Sequence, residues 1–420
     1  MKSKAGFFIA LRYLWGRAHE GGRYLRGAAA GIAVSLIPII VTLIVADGMI
    51  RGIIDRYLEM GTGHLQVFNL FNPGEPEEPA EKIRGLAGVS GVWPEQRSIG
   101  VLVGKKGKTG ATIRSVEPSF WEDRGAGYLK TLAGVSKPAA DRDMLLGESL
   151  AAAIGAEVGD TVRLMTIRTN PDGRAIPRMT AFTVRGIVSS GYHELDALWC
   201  IISWEGGRGI LSPELSSTSL IVKISDPYRG ADAMVWSLYS ALGMGYGVYT
   251  WKDLLRSQYS SYESTRQLLL FIMALVVIVA AVNVSSATSM LVIERQRDIA
   301  VLKITGADVR GVTGVFLWGS FLTGLCGAVI GISLGLLIGS CFNPLIRSLE
   351  WILSFFSSLF HGAEVKILDP GFYLETIPII IDWFAVFLIG CFTILCSMAA
   401  SWIPARRAGR LKPMELLRKY

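Results

Sequence analysis

The sequence predicts an α+β membrane protein: four transmembrane helices, a large mixed α/β domain between the first and second, and those two helices extended as a stalk. Three observations carry this. Four windows of the 420-residue chain are predominantly apolar, Gly27 to Ala46, Leu268 to Ile293, Val312 to Phe342 and Ile377 to Ile403, and ~20 helical residues suffice to cross ~30 Å of hydrocarbon. A long stretch of ordinary mixed composition separates the first window from the second. The basic excess lies on one side: the tail before Gly27, the segment from Glu294 to Arg310 and the tail after Ile403 together hold sixteen Lys/Arg against five Asp/Glu, whereas Gly48 to Tyr262 holds equal numbers of each sign. Cytoplasmic segments retain positive charge, so both termini are expected inside and the large domain outside. Topology thus accounts for the net charge of +7 without a nucleic-acid partner.

Residues 1–26 form a cytoplasmic or interfacial segment. Phe7, Phe8, Leu11, Tyr13, Leu14 and Trp15 are interleaved with Lys4, Arg12 and Arg17, an amphipathic pattern suited to the headgroup level; a basic flank that only sets orientation is the plainer alternative. The length of the basic region and of the apolar run distinguishes this terminus from a cleaved signal peptide. The first span and its stalk cover 27–60. Pro38 removes a helix hydrogen bond and predicts a kink. Asp47 marks the outer interface, and Met49, Ile50, Ile53, Ile54, Tyr57 and Leu58 keep helical spacing beyond it. Gly61 and Gly63 stop the helix.

The large domain occupies 61–250. Short strands begin at His64 to Phe68, Pro and Gly mark an exposed turn at Asn72 to Pro79, and Ser98 to Val103 pairs with Thr109 to Val116 as a hairpin. Ser149 opens a short Ala-rich helix. Thr161 to Ile167 and Thr180 to Val188 are strands whose connector, Arg168 to Met179, is too long for a tight turn; it is either a loose loop or a protruding arm. Gly191 to Ser203 and Ser219 to Ile224 are further strands, and Asp232 to Leu242 is helical.

The second stalk and span, 251–293, follow with no Pro or Gly break. Asn283, Ser285, Ser286, Thr288 and Ser289 point to packing against another helix, although local bonding of the hydroxyls is the simpler account of the Ser and Thr. Residues 294–310 are a short cytoplasmic helix and 311–342 the third span. There Gly319, Thr323, Gly327, Gly331, Gly335 and Gly339 repeat every fourth position, a packing ridge for another helix. In the outer segment 343–376, Leu349 to Phe360 is apolar but too short to span. The fourth span, 377–403, follows Asp382 and ends at Pro404, and 404–420 is a basic tail.

Chemistry is hard to place in this chain. Four histidines, His19, His64, His193 and His361, are scattered over three compartments, and of five cysteines only Cys200 lies in the large domain, so neither a metal-binding spacing nor an internal disulfide is expected. Gly107, Lys108 and Thr109 imitate the end of a phosphate-binding loop, but position 102 is Leu where that motif needs Gly. There is no G-x-S-x-G elbow. The pairs Asp141/Asp143 and Glu77/Glu78 read as solvated loop charges. The expectation is a non-enzyme without cofactor.

The most telling stretch is Glu294 to Asp308, ERQRDIAVLKITGAD. Ile299, Ala300, Val301, Leu302 and Ile304 crowd a short helix flanked by Glu294, Arg295, Arg297, Asp298 and Lys303, with Gly306 placed as its left-handed cap. A solvated turn has no use for that apolar content, whereas a helix fitting a groove on a soluble partner does.

SMLVIERQRDIAVLKITGAD resembles the coupling segment of permeases in the lipoprotein-releasing LolC/LolE family, part of the MacB/FtsX-like ABC permease superfamily. HLQVF, LLGESLAAAIGAEVGD, FTVRGIVSSGYHELDALWCIIS, VYTWKDL, FYLETIPIIIDW and WIPARRAGRLKPMELLR are similar to family signatures in family order, so the resemblance covers nearly the whole chain. It implies a bacterial inner-membrane permease with a periplasmic MacB-like domain that works with a second permease subunit, homologous or identical. A LolD-like cytoplasmic ABC ATPase dimer would hold ATP and Mg and act on Glu294, Arg295, Arg297, Asp298, Leu302, Lys303 and Gly306. The stalks would carry the motion outward by mechanotransmission. Lipoprotein acyl chains, in contact with membrane lipid, would lie against Ile40, Ile44, Val45, Met49, Leu268, Phe271 and Ile272. Residues 168–179 fall where carrier-recruiting members have a projecting hook, with Pro171, Arg174 and Pro177 as candidates for contact with a LolA-like periplasmic carrier. A related permease for another amphiphile, peptide or signal is the alternative.

Overall fold

In the computed structural model the described residues are 8, 10, 21–70, 76–122, 128–169, 175–243, 245–359, 374 and 376–411. The amphipathic pattern assigned to residues 1–26 therefore lies mostly outside them. The chain divides into two compact units, one made of Met1–Gly48, Tyr262–Leu349 and Pro378–Tyr420, the other of Met49–Ser261 and Glu350–Ile377.

In chain order the elements are α1 (Gly21–Arg56), a π-helical turn (Tyr57–Thr62), β1 (Leu65–Asn69), α2 (Glu77–Arg84), β2 (Val89–Val103), β3 (Lys108–Val116), β4 (Lys130–Gly134), β5 (Asp143–Gly147), α3 (Glu148–Ile154), β6 (Thr161–Thr169) and β7 (Ala175–Ser189). There follow α4 (His193–Asp196), β8 (Trp199–Ser203), α5 (Trp204–Ile210), β9 (Ser217–Ile224), α6 (Ala231–Leu242), β10 (Tyr246–Thr250), α7 (Trp251–Leu254), α8 (Arg256–Glu294), α9 (Gln296–Ile304), α10 (Val309–Ser340), α11 (Phe342–Leu359) and α12 (Trp383–Arg410). The helices of α1, α8, α10 and α12 are long and apolar enough to cross a membrane.

In the membrane unit, α10 lies against α1 through its glycine ridge. A Cβ on Gly327 would come 2.8 Å from Ile32 Cβ, one on Gly331 2.8 Å from Leu36 Cβ, one on Gly335 2.7 Å from Ile40 Cβ, and one on Gly339 2.6 Å from Ile44 Cδ1. Small residues at this spacing let two helix backbones approach. The buried core around this contact includes Leu43, Met273, Val277, Val284 and Val386. Thr288 is buried, with its hydroxyl 3.2 Å from that of Ser320 and 3.5 Å from that of Ser401, whereas Asn283 and Ser286 are exposed. α12 does not end at Pro404; it continues to Arg410, where Ala405 and Ala408 are fully buried.

The α/β unit has two parts that share β2. The order β10-β1-β9-β2, all antiparallel, with α2 and α6 between strands, is a split βαβ arrangement. The second part is inserted between β2 and β9. There β2 pairs β3, β3 pairs β8, β8 pairs β5, β5 pairs β7, β7 pairs β6 and β6 returns to β2, which closes a six-stranded ring. Leu102, Ile113, Met144, Leu146, Ile154, Leu164, Phe182, Val184, Cys200 and Ile202 fill its core.

Sharing explains why β2 runs to Val89, nine residues earlier than the hairpin expected from Ser98: its first part pairs β9 and its later part pairs β3 and β6. Two expectations need correction. The segment Gly191 to Ser203 is a strand only from Trp199, after the helical turn of α4. The approach to the second span is also broken: Thr250 caps α7 with a reciprocal Asp253 capping box, and Leu255, at φ −103° and ψ 24°, leaves helical geometry before α8 starts.

Candidate functional site

The helix α9 is built for a fixed position between α8 and α10. Arg295 precedes it with non-helical torsions and donates from Nη1 to Asp298 Oδ2 at 3.2 Å. Its end is a left-handed glycine cap: Gly306 has φ +93°, the Ala307 N–H bonds the Leu302 carbonyl and the Gly306 N–H bonds that of Lys303, both bonds of a Schellman motif. Asp308 then caps α10, its Oδ1 accepting from the Gly311 N–H at 2.8 Å.

The apolar run of α9 is divided between two faces. Ile299 and Ala300 are buried, Ile299 in one cluster with Leu25, Val292, Phe316 and Ala408. Val301 and Ile304 are 60% and 64% exposed, so the surface offered outward is smaller than the sequence implies. Leu302 is half-buried, Lys303 Nζ donates to the Leu411 carbonyl at 2.5 Å, and Glu294, Arg297 and Gly306 are exposed. The face around Arg297, Val301 and Ile304 combines a basic group with apolar surface, suited to an apolar groove with an acidic rim.

The apolar stretch assigned to acyl chains separates in the same way. Leu268, Phe271 and Ile272 are 60%, 69% and 48% exposed, but Ile40 and Ile44 are buried against Gly335 and Gly339 of α10. The expectation for Ile40 and Ile44 is therefore corrected: they are helix-packing residues within the chain. Val45 and Met49 are half-buried.

In the connector Arg168 to Met179, the described residues, 168–169 and 175–179, are strand. β6 and β7 pair as far as Thr169 with Ala175, so a two-stranded ribbon replaces the loose loop left open by the sequence. Pro171 and Arg174 lie outside the described residues. Pro177 is paired with Ile167 and lines an apolar groove of about 330 Å³ together with Ile99, Gly100, Val101, Met165, Ile167 and Ala175. Of this lining, Ile99 and Ile167 are 80% and 53% exposed, unusual for apolar residues clustered at one place.

Two charge clusters escaped sequence reading. Arg266 Nη2 donates to Asp382 Oδ2 at 2.8 Å and its Nε lies 2.9 Å from Asp47 Oδ1, tying α1, α8 and the start of α12. In the α/β unit, the buried Glu95 and Arg114 and the half-buried Arg97 form a cluster at the end of the π turn. The signal available for the second was Glu95 and Arg97 two residues apart within β2, and Arg114 inside β3, where neighbours on a strand face would otherwise be apolar. Among the described residues no group of three or more His, Cys, Asp or Glu could hold a metal ion.

Comparison with known proteins fits this division. Residues 27–234 match the MacB-like periplasmic core domain and residues 270–413 the FtsX-like permease C-terminal family. The lipoprotein-releasing system transmembrane protein LolC of Neisseria meningitidis serogroup B is 26% identical, and that of Xylella fastidiosa 29%, each over 98% of both chains. LolE of Haemophilus influenzae is 24% identical over 66% of this chain and 64% of its own. Matches that run end to end, with both halves in order, make the chain similar throughout to LolC proteins, with a MacB-like periplasmic core domain followed by an FtsX-like permease C-terminal domain.

Proposed function

We propose that the chain is the permease subunit of an ABC transporter that extracts lipoproteins from the outer leaflet of the bacterial inner membrane and passes them to a periplasmic carrier. The observation that carries this reading is the end-to-end similarity to LolC proteins, combined with a capped helix, α9, held rigidly between two spans. The cytoplasmic side is assigned to α9 and both termini by their basic excess, and the α/β unit to the periplasm.

In this reading ATP and Mg bind a separate ATPase dimer and no cofactor binds this chain. The ATPase grips α9 through Arg297, Val301 and Ile304. Arg295, Asp298, Lys303 and Gly306 serve by fixing the helix, since their bonds are made within the chain. The exposed Leu268, Phe271 and Ile272 face acyl chains in a complex with a second permease subunit. The β6–β7 ribbon, with Pro177 and the groove it lines, receives the carrier, with Pro171 and Arg174 as further candidates for that contact.

The detergent-solubilised protein should copurify with an ABC ATPase, and Arg297→Glu combined with Asp298→Lys should reduce recovery of that ATPase about tenfold, the effect of ~1.4 kcal/mol in binding. Depletion should leave mature lipoproteins in the inner membrane. An unchanged complex in the double variant would remove α9 as the ATPase contact. Normal outer-membrane sorting after depletion would remove lipoproteins as cargo.

A further inference from the structure

A helix leaves its last carbonyls without partners inside the helix, and in the α/β unit those at the end of the π turn are taken by one buried and one half-buried guanidinium. Arg114 on β3 is fully buried. Its Nη1 donates to the Met60 carbonyl and its Nη2 to the Gly61 carbonyl at 3.2 Å, while its Nε donates to Glu95 Oε1 on β2 at 2.6 Å. Arg97 Nη2, also from β2, reaches the same Gly61 carbonyl at 3.0 Å and Glu95 Oε2 at 2.8 Å. The Arg114 guanidinium lies 4.7 Å from the centre of the Trp199 ring.

Side chains of the same turns are held as well. Glu59 accepts from Lys223 of β9 at 3.0 Å and lies 3.2 Å from His64 Nε2; because the Ile224 N–H donates to His64 Nδ1, Nε2 carries the proton toward Glu59. Arg56 Nε donates to the Ser190 carbonyl at 2.8 Å, and the Tyr228 hydroxyl donates to Asp55. The stretch from Asp55 to Gly61 is thus bonded to β2, β3 and β9 and to the segment after β7. The exit of the chain from β10 differs, since α7 is a single capped turn followed by the non-helical Leu255.

Apolar packing alone would anchor a helix end with less desolvation cost than buried ions, but packed helices slide by small shear motions. Directional bonds from two guanidinium forks to successive backbone carbonyls fix register as well as position. We propose that Arg114, Arg97 and Glu95 form a transmission joint: they lock the end of α1 to the centre of the sheet so that displacement of α1 reaches β2 and β3 without slip. This rests on the lever reading given under the proposed function.

The test uses the full-length permease with its ATPase in proteoliposomes, measuring ATP hydrolysis and release of a fluorescent diacylglyceryl-cysteine peptide. Arg97→Met should leave hydrolysis within about twofold of wild type and lower release per ATP by about tenfold, within the usual range of coupling effects. Arg97→Lys, which keeps a donor for the Gly61 carbonyl, should recover part of the loss. Arg114→Lys should uncouple at least as strongly as Arg97→Met; should that variant not fold, the Arg97 pair decides. Wild-type release per ATP in Arg97→Met overturns the joint, as does a proportional fall of hydrolysis and release, which marks loss of the complex in place of uncoupling. A wild-type complex that hydrolyses ATP and releases no peptide overturns the lipoprotein reading itself.

Discussion

Asp143 opens β5 and accepts from the Ala139 and Ala140 N–H groups at 3.3 and 3.0 Å and from Arg185 Nε at 3.0 Å. Burial by itself pushes this carboxyl up; the bonds to Arg185 and to the two backbone N–H groups outweigh it, and the group sits below its ordinary value. A carboxylate with a lowered folded pKa contributes stability above its unfolded pKa, about 4, and loses it as pH falls through the folded value. Asp143→Asn should therefore cost about 1–2 kcal/mol at pH 7, with the gap to wild type narrowing below about pH 4; a gap independent of pH in denaturant titrations would assign the cost to packing. Gly63 makes a different demand. At φ +69° and ψ −176° it occupies a region nearly closed to other residues, and a Cβ there would fall 2.3 Å from Ile221 Cγ2. Gly63→Ala should cost about 1–3 kcal/mol, read as a lowered melting temperature, with Gly243→Ala as the comparison for positive φ in open space.

At the scale of elements, the α1–α10 contact depends on four glycines in succession. Gly331→Leu would drive a side chain into the Ala33 carbonyl and the Leu36 side chain, an overpacking cost of about 1–3 kcal/mol. Leu36→Ala should restore part of it in the double variant, because the two sites share one contact. Gly314→Ala, on the same helix where nothing lies within 4 Å, should be neutral. Thermal stability in detergent measures all four proteins; an additive double variant would mean the ridge is not seated on Leu36. The ridge was legible in the sequence because its period of four is a property of one helix. Which residues it seats on was not, since that depends on the rotation of α1, and so Ile40 and Ile44 were assigned to open apolar surface. The same limit applies to α9, whose five apolar residues show a helix with a use for them but not that Ile299 and Ala300 turn inward. Glu95, Arg97 and Arg114 were missed for a related reason: alternation along a strand tells which residues share a face, but not that β2 is covered on a face where charges are satisfied by a helix end.

For the whole molecule, the four spans and the inserted α/β domain follow from hydropathy and charge counted along the chain, whereas the closed ring depends on pairings between distant strands, such as β2 with β6 and β5 with β8. The ring also shows which part of the chain is dispensable to it. β6 meets β2 only through Arg163, Leu164 and Met165, and beyond that point β6 and β7 bond to each other, up to Thr169 with Ala175. Replacing residues 168–176 with two glycines keeps the Ile167–Pro177 pair and every strand contact that closes the ring. The shortened protein should therefore melt as wild type does and recover its ATPase in full, because α9 is untouched. On the proposed function, wild type should capture a periplasmic carrier through a photoreactive group at position 174 or 178, and the shortened protein should fail to. Since the shortened chain lacks position 174, the group at position 178, where Arg178 Nη1 donates to the Gly209 carbonyl outside the ribbon tip, gives the matched comparison. Equal capture from position 178 in both proteins would move carrier docking onto the groove formed by Ile99, Met165, Ile167 and Pro177, and loss of ATPase recovery would mean that the ribbon is needed for assembly.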